Sequence, residues 1–308
     1  MKKKNFLWLI AFALLMPLFA LTACSDDDDD DNNDSNGDKT EQTTNDGTKV
    51  LSKKVTKIVA TYYEGVEHEE EVETYIFDAD GKLISSTEVE NYGDHSVKTK
   101  IYKYNDNTIV RERESTSSYA SKNRYVLNID KGRVVSEEFA EGSDLEYVYL
   151  SEYTYSPDGF LASRTTSHNG EYGTYDSKST YSVSNENITG IDYQSTDIYS
   201  EEIYKSSSEY NITYTNKLNN LNVDLCLLLL DDQLDGLPLT GYYGKRIKNL
   251  PLSITRQSTR EDTRNSETTT ETSASVHNFT YTYDGDYPTK IVDEEGGHTN
   301  IYEIFYNE

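Results

Sequence analysis

Tyr75-Ile76-Phe77-Asp78-Ala79-Asp80-Gly81-Lys82-Leu83 reads as the end of one β-strand, a tight turn and the start of the next. Tyr75 and Phe77, two residues apart, place both rings on one face of a strand, and aromatic residues favour strands. Asp and Gly then supply the turn, because Gly accepts positive φ and Asp side chains bond their own backbone. Tyr153-Thr154-Tyr155-Ser156-Pro157-Asp158-Gly159-Phe160-Leu161 repeats the unit. Weaker copies start at Tyr102, Tyr125, Tyr181, Ile212 and Tyr281. A period of about 25–30 residues therefore recurs, with one insertion before the last copy.

Further turn signals fall midway between copies, at Glu64-Gly65, Tyr92-Gly93-Asp94, Glu141-Gly142-Ser143 and Asn169-Gly170. Each unit is thus two strands. The body, residues 49–308, is expected to be all-β: one large up-and-down antiparallel meander of roughly 14–16 strands, curled into a partial or closed barrel.

Alternation identifies the core face. In 145–155 the odd positions read Leu, Tyr, Tyr, Ser, Tyr, Tyr, while the even ones include Glu146, Glu152 and Thr154. Only 35% of residues are hydrophobic but 27 are tyrosines, so Tyr must supply much of the core. A membrane-spanning barrel needs an apolar band facing lipid on nearly every strand. The non-aromatic face is too polar for that, and Tyr belongs in interfacial girdles. The body is expected to stand in water.

The region about 221–252 breaks the repeat. Asp224 is a good N-cap, Leu225-Cys226-Leu227-Leu228-Leu229-Leu230 is apolar nearly all round, and Gly236 with Pro238 makes a stop. A short buried helix over 225–235 follows, plugging the open end or concave face of the sheet. Cys226 then packs as a core thiol. Gly241-Tyr242-Tyr243-Gly244-Lys245-Arg246-Ile247-Lys248-Asn249-Leu250-Pro251 is the densest basic cluster in an acidic body. Two readings stand. Tyr242, Tyr243, Lys245, Arg246 and Lys248 could present cations and rings to an anionic or sugar-like ligand. Alternatively, the cations cap the helix or pair with surface carboxylates.

The first 48 residues are of another kind. Lys2–Lys4, an apolar run from Phe6 to Ala20 and Leu21-Thr22-Ala23-Cys24 read as an export signal over 1–23. Its apolar run of about 15 residues is short for a bilayer span. Cys24 is the expected acceptor for diacylglycerol. Residues 25–48, with Asp26 to Asp31 unbroken, read as a disordered acidic tether. At roughly 3.3–3.6 Å per residue the tether reaches up to about 80 Å. Removing the leader, which holds three lysines and no acids, takes the net charge from −26 to −29. That balance argues against nucleic acid as a partner.

The lipidation sequence with its aspartate run resembles the acidic export signal of lipoproteins of the Bacteroidota. With the tyrosine hairpins, the apolar helix and Gly244-Lys245-Arg246-Ile247-Lys248-Asn249-Leu250-Pro251, the chain resembles a domain-of-unknown-function family of such lipoproteins. That resemblance implies a porin-like fold and an outer-membrane, lipid-anchored, extracellular location. It implies no activity.

No catalytic signature appears. His68, His95, His168, His277 and His298 lack the spacing of a zinc site, and there is no nucleophile elbow or phosphate loop. No cofactor or metal is expected. The expected role is a non-catalytic surface module binding a glycan, peptide or other extended ligand. A structural or adhesive component, or a carrier enclosing an apolar ligand, are the alternatives.

Overall fold

A computed structural model describes residues 53–64, 68–90, 96–116, 123–141, 147–170, 173–200, 202–230 and 237–307. Cys24, the leader and the tether lie outside them. The first half contributes β1 (Val55–Glu64), β2 (His68–Phe77), β3 (Leu83–Glu90), β4 (Val97–Tyr104), β5 (Thr108–Ser115), β6 (Asn123–Asp130), β7 (Arg133–Glu141) and β8 (Tyr147–Tyr155). The second contributes β9 (Leu161–Gly170), β10 (Gly173–Ser184), β11 (Asn187–Tyr199), β12 (Glu202–Leu218), β13 (Asn249–Arg264), β14 (Glu267–Asp284), β15 (Tyr287–Glu295) and β16 (His298–Tyr306). Every strand pairs antiparallel with its sequence neighbour, and β1 pairs with β16 to close the barrel.

The repeated aromatic-turn units all fall at one end of this barrel. Their turns join β2 to β3, β4 to β5, β6 to β7, β8 to β9, β10 to β11 and β14 to β15. At this end, six of the seven strand pairs that meet at a tight turn or at the closing seam carry a β-bulge on the second strand of the turn or on β1. The extra residues are Thr56, Ile84, Val135, Ala162, Thr189 and Thr289, with Leu252 doing the same where β13 begins. The β4–β5 pair has none. A bulge shifts the side-chain phase by one residue. Apolar residues at a spacing of three therefore both point inward, as in Val55/Ile58, Ile188/Ile191 and Pro288/Ile291.

The bulges explain the second tyrosine of the repeat. Tyr104, Tyr155, Tyr281 and Tyr306 donate their hydroxyls to the carbonyls of Leu83, Val134, Pro251 and Pro288 at 2.7, 2.6, 2.6 and 2.7 Å. Tyr214 bonds the Ile188 carbonyl in the same way. Each acceptor sits at a bulge on the preceding strand, where the ladder is disturbed and a buried carbonyl needs a partner. Burial pushes the phenol pKa of all five tyrosines upward, which keeps them as donors. Tyr281→Phe should cost about 1–2 kcal/mol, seen as a lower denaturant midpoint at unchanged slope. A midpoint equal to that of the parent would mean the clamp contributes nothing.

A sixteen-strand barrel is too wide for its own side chains to fill. Here residues 219–230 and 237–248, between β12 and β13, fill one end. They hold the helix α1 (Leu225–Leu230) and a 3-10 turn, Leu237–Thr240. Leu221, Val223, Leu225, Cys226, Leu227, Leu230, Leu237 and Leu239 are buried in one cluster with inward residues of the wall. The described helix is shorter than the 225–235 expected; residues 231–236 lie outside the described set. The plug enters at the end where the aromatic-turn units lie, so apolar wall and apolar plug meet.

The outer face is different in character. Lys103, Glu112, Glu138, Glu152, Lys178, Asp192, Lys205, Glu209 and Glu303 are exposed on β4, β5, β7, β8, β10, β11, β12 and β16. Several of the exposed apolar side chains, Val148 and Leu150 among them, share their strands with these charges. Such a wall does not form the continuous apolar band that lipid requires.

Candidate functional site

The basic loop after the plug helix is stapled to the rim. The Lys245 amide donates to the Gly159 carbonyl at 2.8 Å, the Lys248 amide to the Glu186 carbonyl at 3.0 Å, and the Val134 amide to the Tyr242 carbonyl at 3.0 Å. Lys245 and Lys248 both bond the Glu186 carboxylate, at 2.6 and 2.9 Å, and hold its pKa down at about 2. Tyr242 packs on Tyr104 with ring centres 6.1 Å apart. Tyr243 is only 1% exposed and meets Tyr153 edge to face at 5.2 Å. Arg246 lies near Asp224, whose backbone carbonyl accepts the Leu227 amide at 3.1 Å where α1 begins. Burial pushes Asp224 up to about 7 against the pull of Arg246 and that amide. The five loop residues thus stand together at the plugged rim, engaged with protein groups.

Beyond the plug, towards the other end, the inner wall turns polar. Between β2 and β9 it is filled by charges and rings. Lys100 bonds Glu73 at 3.3 Å and lies 3.9 Å from Glu88, while Lys98 pairs with Glu88 and Glu90. Tyr153 and Tyr243 both donate to the buried Glu137 carboxylate, at 2.7 and 3.4 Å. The Arg111 guanidinium lies 3.4 Å from the centre of the Tyr125 ring. Tyr125, Phe139, Tyr149 and His168 then stack in sequence across β6 to β9, at 4.4, 5.9 and 4.7 Å. Tyr149 meets Tyr175 edge-on, and the Tyr175 hydroxyl lies 3.0 Å from that of Tyr193. Side by side on neighbouring strands, these rings rigidify one half of the wall.

The other half of the wall is open. Strands β11–β14 span 13, 17, 16 and 18 residues, against 8–10 for β1–β9, so their hairpins continue past the neighbouring strands. Their inner face carries registered rows: Ser195–Ser206–Arg260–Glu271, Tyr193–Ser208–Ser258–Ser273, and Tyr210–Arg256–Ser275. These rows line a groove of about 540 Å³. Arg256 bonds the hydroxyls of Ser258 and Ser208 at 2.9 and 3.4 Å, and those two hydroxyls lie 2.8 Å apart. Small side chains make the space, and their hydroxyls both donate and accept. No motif announces this face. Its trace in the sequence is Ser206-Ser207-Ser208 and Ser273-Ala274-Ser275, whose alternation gains meaning only when four strands align.

Beside it, along the contiguous strands β14–β16 and β1–β3, a second cavity of about 380 Å³ opens above the plug. Burial, with Glu88 and Glu73 close by, pushes Glu71 on its wall up to about 7. Among the described residues, Glu71, Glu88 and Glu90 are the three carboxylates that converge closely enough to suggest a metal ion, but Lys98 already bonds two of them.

The geometry defines a class: a closed, porin-like antiparallel barrel, plugged at one end and polar inside. By sequence, no protein-family profile and no curated protein matches the chain. By structure it is similar to a porin-like protein from Bacteroides uniformis ATCC 8492, with a TM-score of 0.53 at 15% identity, over 82% of this chain and 96% of that one. A porin-like protein from Bacteroides vulgatus ATCC 8482 matches with a TM-score of 0.51 at 16% identity, over 83% and 99%. At such identity the likeness shows the fold, and the porin-like architecture expected from the resemblance is the one observed.

Proposed function

We propose that this chain is a lipid-anchored module of the outer membrane, held by Cys24 on the outer face, that binds an extended, hydroxyl-rich ligand such as a glycan. The serine-lined groove on β11–β14 carries this reading. It is concave, on rigid strands, and offers paired hydroxyls together with Arg256, Glu271 and Tyr193. Such a mix of donors and acceptors suits a polyhydroxylated chain better than an apolar one. The apolar part of the lumen is occupied by the plug, which disfavours a carrier for an apolar cargo. The charged outer face favours a barrel standing in water on its tether.

Whole cells expressing the protein should capture labelled polysaccharides from a defined panel. Cys24→Ser should abolish surface capture by removing the anchor. Ser206→Leu with Ser273→Leu should fill the groove, leaving surface antibody staining unchanged while capture falls at least tenfold. Capture unaffected by filling the groove, or no retention of any polysaccharide, would overturn the reading.

A further inference from the structure

The plug helix leaves two of its leucines uncovered. Leu225, Cys226, Leu227 and Leu230 are buried, whereas Leu228 and Leu229 are half-exposed and floor the 380 Å³ cavity. The rings of Tyr62, Tyr75 and Tyr302 form part of its walls, with Tyr62 and Tyr302 edge to face at 6.4 Å. Glu71, Glu73, Glu88 and Asp293 also line it.

Charge does not balance around this space. Lys98 and Lys100 serve Glu73, Glu88 and Glu90, and His277 meets Asp293 at 3.1 Å and Glu295 at 3.4 Å. Four carboxylates line the cavity, Glu71, Glu73, Glu88 and Asp293, against these two lysines and one histidine. A partly enclosed site with excess negative charge favours a cation, since attraction grows as water is excluded. A hard metal ion wants six or more oxygens around it. Here the floor is hydrocarbon and much of the wall is aromatic. An organic cation uses all three features: ammonium on carboxylates and ring faces, carbon on leucine.

We infer that this cavity binds a small organic ammonium ion, its charged head among Glu71, Glu73, Glu88 and Asp293 and its hydrocarbon part on Leu228 and Leu229. The site adjoins the serine groove through β14 and β15 and takes a different chemistry.

Calorimetry on the full chain in detergent tests this with 2-phenylethylamine, and with neutral 2-phenylethanol, anionic phenylacetate and calcium chloride as comparisons. The amine should bind with saturable heat and raise the melting temperature, while the three comparisons do neither. Glu71→Gln, a near-isosteric change at a half-buried site, should weaken amine binding about tenfold. Asp293→Asn should act in the same direction. Filling the serine groove should leave amine binding unchanged. Equal binding of the alcohol, displacement of the amine by calcium, absence of any amine binding, or indifference to both carboxylate variants would each overturn the assignment.

Discussion

Tyr243→Ala is expected to destabilise the barrel by about 3–5 kcal/mol, the range for emptying a buried aromatic site. In a domain of this size that lowers the melting temperature by about 10 °C. The ring is 1% exposed, lies 5.2 Å from that of Tyr153, and shares Glu137 as a hydroxyl acceptor with it. Truncation therefore removes packing at the point where the loop 241–248 holds the plug against the wall. It also takes one donor from a buried carboxylate. Burial and the neighbouring Tyr153 and Glu137 push the Tyr243 phenol well upward, so the hydroxyl stays a donor at any physiological pH. Tyr243→Phe keeps the ring and should cost only about 1 kcal/mol. Differential scanning calorimetry of the three proteins separates the contributions. A melting temperature for Tyr243→Ala within about 2 °C of the parent would show that the plug is not held by this residue.

Gly244→Ala should be nearly as damaging, for a backbone reason. Gly244 has φ +92°, and a Cβ there would stand 2.6 Å from the Gly159 carbonyl oxygen and 3.0 Å from the Tyr155 ring. The same carbonyl receives the Lys245 amide at 2.8 Å, so it cannot retreat without breaking the staple. Left-handed strain and the backbone clash together should cost roughly 2–4 kcal/mol. Gly285→Ala is the matched comparison. Its φ is +58° and a Cβ there meets nothing within 4 Å. That change should cost about 1 kcal/mol. Trypsin should cut Gly244→Ala faster than the parent within Lys245–Lys248, where the staple has loosened. Equal melting temperatures for the two alanine variants would remove close approach as the cause.

Much of the architecture was legible because strands announce themselves locally. Tyr75/Phe77 and Tyr153/Tyr155 alternate with polar neighbours, and Asp78–Gly81 and Ser156–Gly159 have the chemistry of tight turns. From those units the antiparallel meander and a strand number near sixteen follow. The odd face of 145–155 points inward as expected, at least from Tyr149 through Tyr155. Asp224 and the leucine run announced a buried helix. The bulges were not anticipated, although a signal for them exists. Apolar residues three apart, as in Ile188/Ile191 and Pro288/Ile291, are out of phase with a regular strand and mark the extra residue.

The basic loop shows where local reading stops. Gly241–Pro251 stands out by composition, yet whether Lys245 and Lys248 meet a ligand or a carboxylate depends on Glu186, some sixty residues away in the chain. The serine rows had the opposite fate. Ser, Thr and Arg on β11–β14 look like ordinary solvated strand residues until four long hairpins stand side by side.

The sequence alone determined the strands, their turns, the aromatic inward face and the apolar plug, because each depends on residues within a few positions of one another. Tertiary structure decided the rest. Closure of β1 on β16, entry of the plug at the turn-rich end, and the lining of two cavities all depend on partners far apart in the chain. A barrel of sixteen strands has a circumference too large for any local pattern to specify what meets across its interior.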